Sequence, residues 1–466
     1  MKNEEKNAEG LVPYRVHGKA LMVLGIPIVI GQLGTIAQSF ADTIMVGQYG
    51  TPELSASGFV NNVFNLVIFF LLGFSYSTTP IVGSYFGRKQ LADAGRTLKE
   101  SLAANLLVCL VVCGLMLLLY ANIDLLNQPK ELMPLIKPYY LILLSSMPFM
   151  AVFNSLKQFS DGVGDTKTPM WIMLTGNVVN ILLNVVLIFG FSFSFLGLKI
   201  HSPTFGLNGA GLATLISRVA MLVVLAWLVL RAKRYEKFRV GLKKSMTRLG
   251  FFHVTKVGLP ISLQMCLESS SFNIAAVMMG WLGAVSLAAH QVMGTIGTLC
   301  FLVYYGVGAA AAVRISHFRG RGEWREVRRI AFAAYGLNLI AAVVLAGGIF
   351  VGREALCYCF TTSPEVVMVT LSLMIPFLFY QLGDSMQVVF ANSLRAIEDV
   401  KPLVWYAFIA YILVSIPVSY LFAFVLKMGP QGVWWGFPFG LTTAGLLFFQ
   451  RFYRKTKSVN RRVKNS

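Results

Sequence analysis

The chain has 466 residues, of which 56% are hydrophobic and only 13% charged, a balance that excludes an ordinary soluble domain and points to an integral membrane protein. A net charge of +20 invites a nucleic-acid reading, but its placement argues otherwise. With the N-terminus in the cytoplasm, only Lys130, Lys137, Lys199, Arg353 and Lys427 fall outside, whereas one internal loop from Arg231 to Lys256 holds nine basic residues; this is the positive-inside pattern, and it places both termini in the cytoplasm.

Along the chain, the first nineteen residues are polar and no small-residue cleavage site follows the first apolar run, so a cleaved signal peptide is not expected. Apolar runs of about 20 residues, enough to cross about 30 Å of hydrocarbon, lie near 20–43, 57–82, 100–121, 134–157, 168–192, 207–230, 254–279, 285–312, 329–351, 366–393, 403–426 and 431–450. The expected fold is all-α with twelve transmembrane helices. Pro27, Pro148, Pro260, Pro376 and Pro417 fall within these spans and permit bending. The cysteines match no zinc or redox spacing and read as small core hydrophobes. Cys357 and Cys359, two apart at a helix end, point in different directions and are not expected to bridge.

Sliding the sequence against itself by 233 residues aligns Gly25–Pro27 with Gly258–Pro260, Gly73 with Gly306, Gly87 with Gly320 and Pro169 with Pro402. After a ten-residue contraction Gly206 and Gly209 fall on Gly429 and Gly432. Two pseudo-symmetric six-helix lobes follow, 1–231 and 253–466, joined by a basic cytoplasmic loop over 232–252. An even number of spans per lobe makes the repeats parallel, an arrangement typical of transporters that bind between their halves and rock. The loop, with its mixture of basic and aromatic residues, suits either the membrane interface or a solvated linker.

Three acids, Asp42, Glu268 and Asp384, fall inside the apolar runs, which otherwise keep carboxylates at their ends. An ionisable group in hydrocarbon costs a few kcal/mol, about 2.5–3.5 on insertion scales, and so marks an ion or substrate path. Asp42 aligns with Ala275 and Glu268 with Thr35, so the acids break the repeat symmetry, as distinct sites in each lobe would. Gln38, Gln264 and Tyr380 lie one helical turn before Asp42, Glu268 and Asp384 respectively. Such oxygen-rich settings suit Na⁺, while a desolvated carboxyl suits a proton, and the same residues serve both readings. Asn180 and Asn184 share a helix face and can complete a site around Asp42 or merely bond neighbouring helices. Arg218, within the sixth span, can pair with a carboxylate or act structurally; His290 reads as an interhelical donor.

These residues sit in strings that resemble multidrug and toxic compound extrusion (MATE) transporters: AQSFADTIMVGQYG at 37–50, the pair Asn180–Asn184, GLNGAGLAT at 206–214, GLPISLQMCLE at 258–268, LGAVSLAAHQ at 282–291 and YQLGDSMQVVFANSLRAIED at 380–399. The resemblance implies an antiporter that expels cationic amphiphiles while Na⁺ or H⁺ moves inward. It implies an N-lobe cation site of Asp42, Asn154, Asn180, Asn184 and Thr214. It also implies a C-lobe cation or substrate site of Glu268, Tyr380 and Asp384, as in NorM-like members, with Gln291 facing the drug cavity. Na⁺ would then bind at Asp42, Glu268 and Asp384. Thr295 and Thr362 depart from some NorM-like cavities, which carry an aromatic and a further acid there.

The nearest rival is a flippase for lipid-linked oligosaccharides, which needs cavity cations to hold pyrophosphate; three acids against one obvious arginine favour cationic cargo. No metal or nucleophile motif suggests an enzyme, and no cofactor beyond the coupling ion is implied. A multi-pass protein of the bacterial inner membrane, competent as a single chain, is the expectation.

Overall fold

The computed structural model describes residues 11–126, 128–190, 192–195, 198–201 and 203–465. Twelve long helices dominate. In the first lobe they are α1 (Tyr14–Tyr49), α2 (Thr51–Gly87), α3 (Leu91–Ala121), α4 (Lys130–Gly162), α5 (Lys167–Phe189) and α6 (Gly206–Arg231); in the second, α7 (Arg248–Trp281), α8 (Ala284–Gly320), α9 (Trp324–Val351), α10 (Pro364–Ala396), α11 (Lys401–Val425) and α12 (Pro430–Asn465). All except α7 are apolar enough to cross a membrane on composition alone. That exception carries Gln264, Glu268, Ser269, Ser270, Ser271 and Asn273 along 34 residues, so its polarity is a consequence of what it holds. Between α5 and α6 a short antiparallel hairpin, β1 (Ser192–Phe195) and β2 (Leu198–His201), departs from the helical expectation.

Two helices are bent for reasons written in their sequence. In α2 the helix breaks around Tyr76 and Ser77, four residues before Pro80, whose missing N–H leaves the Tyr76 carbonyl without its helical donor. In α11 wide-turn π-helical segments, Phe408–Ser415 and Leu421–Val425, flank the short α-helical turn that contains Pro417; the same missing donor favours a looser ladder there.

The linker is not a free loop. It winds into a helix over Glu236–Lys243 that packs on the start of α3, burying Tyr235, Phe238 and Gly241. A Cβ at Gly241 would overlap the Ala92 carbonyl oxygen, so only glycine permits this approach. Its far end is fixed by Glu100, which accepts from the backbone and hydroxyl of Thr247, the residue that caps α7.

The lobes meet along α1, α2, α7 and α8, and the glycines that recur at the 233-residue offset are where they touch. A Cβ on Gly25 would lie 2.9 Å from the Gly306 carbonyl oxygen, and one on its repeat mate Gly258 would meet Phe74, beside Gly73, at 2.9 Å. Further along, a Cβ on Gly87 would overlap the His317 carbonyl oxygen, and one on Gly320 would overlap that of Ser84, the repeat mate of His317. Each contact thus appears twice, related by a pseudo-twofold axis. The seam is closed on the side that carries both termini and the linker. Away from it Gly58 and Gly294 meet nothing within 4 Å, so the lobes diverge into a cleft.

Candidate functional site

In the first lobe most buried apolar residues form two separate clusters, one around Phe64 and Tyr140, the other around Phe159 and Phe238, while Leu21, Phe74 and Ile81 join the cluster of the second lobe across the seam. A cavity of about 640 Å³ is lined by α1, α2, α4, α5 and α6 residues of this lobe. Its wall is rich in amides, with Asn61, Asn65, Asn154 and Asn177, and it includes Asp42, Thr214 and Arg218. Asp42 is partly exposed. Its Oδ1 accepts a short hydrogen bond from Asn184 Nδ2, and Gln38 Nε2 lies 3.5 Å from Oδ2. Asn180, with its amide turned to satisfy its neighbours, donates to Asp42 Oδ1 at 2.9 Å and accepts from Gln38 Nε2 at 3.2 Å and the Thr214 backbone N–H at 3.3 Å. The Thr214 hydroxyl bonds its own helix, to the Ala210 carbonyl. The residues named from the N-lobe pattern therefore gather in one place, Asn154 by lining the cavity and the others around Asp42. Arg218, which lines the same cavity, donates to the buried Ser146 Oγ at 2.6 Å.

The second lobe is built differently. Glu268 Oε2 accepts from Gln264 Nε2 at 2.9 Å and Gln387 Nε2 at 3.1 Å, and Gln387 Nε2 also lies 2.7 Å from the Tyr411 hydroxyl. Gln387 is the repeat mate of Asn154, so both lobes place an amide at this position. Asp384 is 1% exposed and its Oδ2 has no hydrogen-bond partner among the described residues. Around it Tyr380 stacks on Phe377 at 5.5 Å, Phe272 stacks on Phe437 at 4.6 Å, and Trp434 packs edge-on to Phe437. His290 lies edge-on to Trp434 at 5.5 Å, while its neighbour Gln291 is exposed.

Beyond the three acids within the apolar runs, charged residues at the apparent ends of those runs are also buried. Lys157 Nζ donates to Asp161 Oδ2 at 2.8 Å, both side chains under a tenth exposed. Glu326, at the start of α9, accepts from the Val12 backbone N–H at 2.9 Å and bonds His17 Nε2 at 2.8 Å, while Arg314 donates to His17 Nδ1 at 3.0 Å. Arg395 is 7% exposed and donates to Gln264 Oε1. The signal in the sequence was the length of amphipathic pattern beyond each apolar window, since α4 and α10 run for 33 residues each. Outside the apolar runs, Glu398 bonds His253 at 3.0 Å and Arg319 at 2.7 Å. Burial pushes its carboxyl up, but these cationic and hydrogen-bonding partners outweigh burial and hold it down at about 2.

Fold and site together define a two-lobed helical membrane transporter. The MatE family model matches residues 27–186 and 260–421, one copy per lobe with starts separated by the repeat offset. The chain is 28% identical over 449 residues to the multidrug resistance protein MdtK of Yersinia pseudotuberculosis, covering 94% of this chain and 95% of that protein. Among solved structures it resembles a multidrug resistance MATE family transporter in an outward-facing conformation, with a TM-score of 0.85 at 20% identity and coverage of 96% and 97%. It also resembles a point mutant of the Vibrio cholerae MATE transporter VcmN, with a TM-score of 0.85 at 18% identity and coverage of 96% and 98%. The chain belongs to the MATE family, whose members are transporters and not enzymes.

Proposed function

We propose that this protein is a cation-coupled multidrug antiporter of the NorM-like branch, a single chain in the bacterial inner membrane with both termini in the cytoplasm. It expels cationic amphiphiles in exchange for inward Na⁺ or H⁺. The observation that carries this reading is the placement of Asp42, an acid held by three amide side chains and facing a cavity of about 640 Å³. Amide and carboxylate oxygens form a hard-cation environment, and a single carboxylate satisfies one positive charge at a time. Drug and coupling cation then oppose each other's binding, and linkage requires that opposition to be reciprocal. The similarity to MdtK supports multidrug efflux as the coarser part of the reading.

The C-lobe carboxylates would serve the same cycle, Glu268 and Asp384 taking a cation or substrate charge beside Tyr380, with Gln291 presented to the cleft. A flippase for pyrophosphate-linked lipids fits less well. Lys157 is already neutralised by Asp161, and Arg395 is engaged by Gln264, so the cavity offers Arg218 alone.

The test is drug efflux in everted vesicles under an imposed Na⁺ or pH gradient, for the wild type and for Asp42→Asn, Glu268→Gln and Asp384→Asn. Gradient-driven efflux lost in the variants supports exchange, and the effective gradient names the ion. Normal transport in all three variants sinks the carboxylate mechanism.

A further inference from the structure

Between the lobes, next to the N-lobe cavity, lies a small chamber. Tyr76, Lys157 and Gln158 line both spaces, and Asp161, Tyr305 and Arg395 line the chamber. Arg395 belongs to α10 of the second lobe, but its guanidinium carbon lies 5.8 Å from the ring centroid of Tyr76, on α2 of the first. The same guanidinium donates to Gln264 Oε1, and the other end of that amide donates to Glu268 Oε2 at 2.9 Å. An unbroken chain therefore runs from the C-lobe carboxylate, through one amide and one guanidinium, to an aromatic face across the seam.

We infer that Arg395 is a positioning residue for exchange, coupling the charge on Glu268 to closure of the lobe seam; this rests on the reading of Glu268 as a cation site. An ionised Glu268 fixes the Gln264 amide by accepting from its nitrogen, which turns the amide oxygen toward Arg395 and holds the guanidinium against Tyr76. A cation at Glu268 competes for that carboxylate oxygen and releases the Gln264 nitrogen. Arg395 then loses the partner that aims it, and the contact across the seam weakens on the side of the termini. Arg395 Nε and Asp161 Oδ1 both lack hydrogen-bond partners in this arrangement among the described residues, as expected of a network that has a second arrangement to adopt. The side that opens is the side on which an inward-moving cation must leave.

The experiment places spin labels at the exposed Arg88 and Arg325, near the seam ends of α2 and α9, in a cysteine-free protein reconstituted in lipid nanodiscs. Their separation is followed while Na⁺ and, separately, pH are titrated. In the wild type the coupling cation lengthens the distance. Arg395→Gln abolishes that response while drug affinity stays within about twofold, and Arg395→Lys, which keeps the charge but loses the planar fork, restores part of it. Gln264→Leu breaks the same chain with Arg395 still present and gives the same loss, so the outcome does not depend on one variant folding. A responsive wild type with equally responsive Arg395→Gln and Gln264→Leu overturns the role of Arg395 alone. A wild type insensitive to both ions overturns the exchange reading and this role with it.

Discussion

The two lobes share a fold and a repeat, but one has a divided core and the other a continuous one. In the first lobe two apolar clusters are separate, and Asp42 faces a cavity among amides. In the second a single cluster runs from Met293 through Phe377 and Trp434 to Phe448, and Asp384 lies inside it. One lobe turns a carboxylate toward a cavity; the other encloses one among aromatic rings. The difference teaches that equivalent helices can hold an accessible site and a buried one, according to whether the interior is filled by amides around space or by stacked aromatics.

The largest expected effect of breaking this contrast is at the accessible acid. Asp42→Asn takes away the negative charge proposed to hold the coupling cation, a charge-assisted interaction worth about 2–3 kcal/mol, so gradient-driven efflux should fall about thirty- to a hundredfold in vesicles, with the protein still folded. Next comes the seam that joins the lobes. Gly87→Ala would drive a Cβ into the His317 carbonyl oxygen, overpacking that costs about 1–3 kcal/mol; the Arg88–Arg325 label distance should lengthen even without cation. Gly320→Ala should do the same by a similar amount, and a large inequality between the two would contradict the pseudo-twofold seam.

The buried acid gives a smaller effect of opposite sign. Asp384→Leu removes a carboxyl oxygen that has no partner among the described residues, and relieving such a group is worth about 1–3 kcal/mol. Thermal unfolding in detergent should therefore shift upward while transport falls. A lowered midpoint would mean that Asp384 has a stabilising partner. The effect confined to acid pH lies outside the membrane, at Glu398. Its carboxyl is depressed from 4.5 to about 2, so the stability it contributes is fully present above pH 4.5 and is lost as pH falls toward 2. The thermal midpoint should decline through that window in the wild type, and Glu398→Gln should flatten the decline.

Much of this was legible in the sequence because it is local or periodic. Four-residue spacings put Gln38 with Asp42, Gln264 with Glu268 and Asn180 with Asn184, and each pair stands together in the fold. The repeat offset exposed the two lobes. What escaped was set by tertiary packing. Lys157, Asp161 and Arg395 look interfacial beside an apolar window, yet their helices continue past it into the closed half of the seam. Gln387 gave no local sign that it bonds Glu268, since its partner is 119 positions away. The hairpin escaped for a different reason: it is short and abuts an apolar helix, although the alternation in the segment Ser192–Phe195 is a strand signal.

The glycine contacts carry a consequence for ancestry. A face on which each small residue meets the partner position of its own repeat is self-complementary, as in an isologous dimer. A six-helix forebear bearing one set of these glycines would already have dimerised through them, with identical acids in both copies. Asp42 and Glu268, standing opposite Ala275 and Thr35 at the repeat offset, depart from that symmetry, so the acids of the two lobes differ where the seam they share does not.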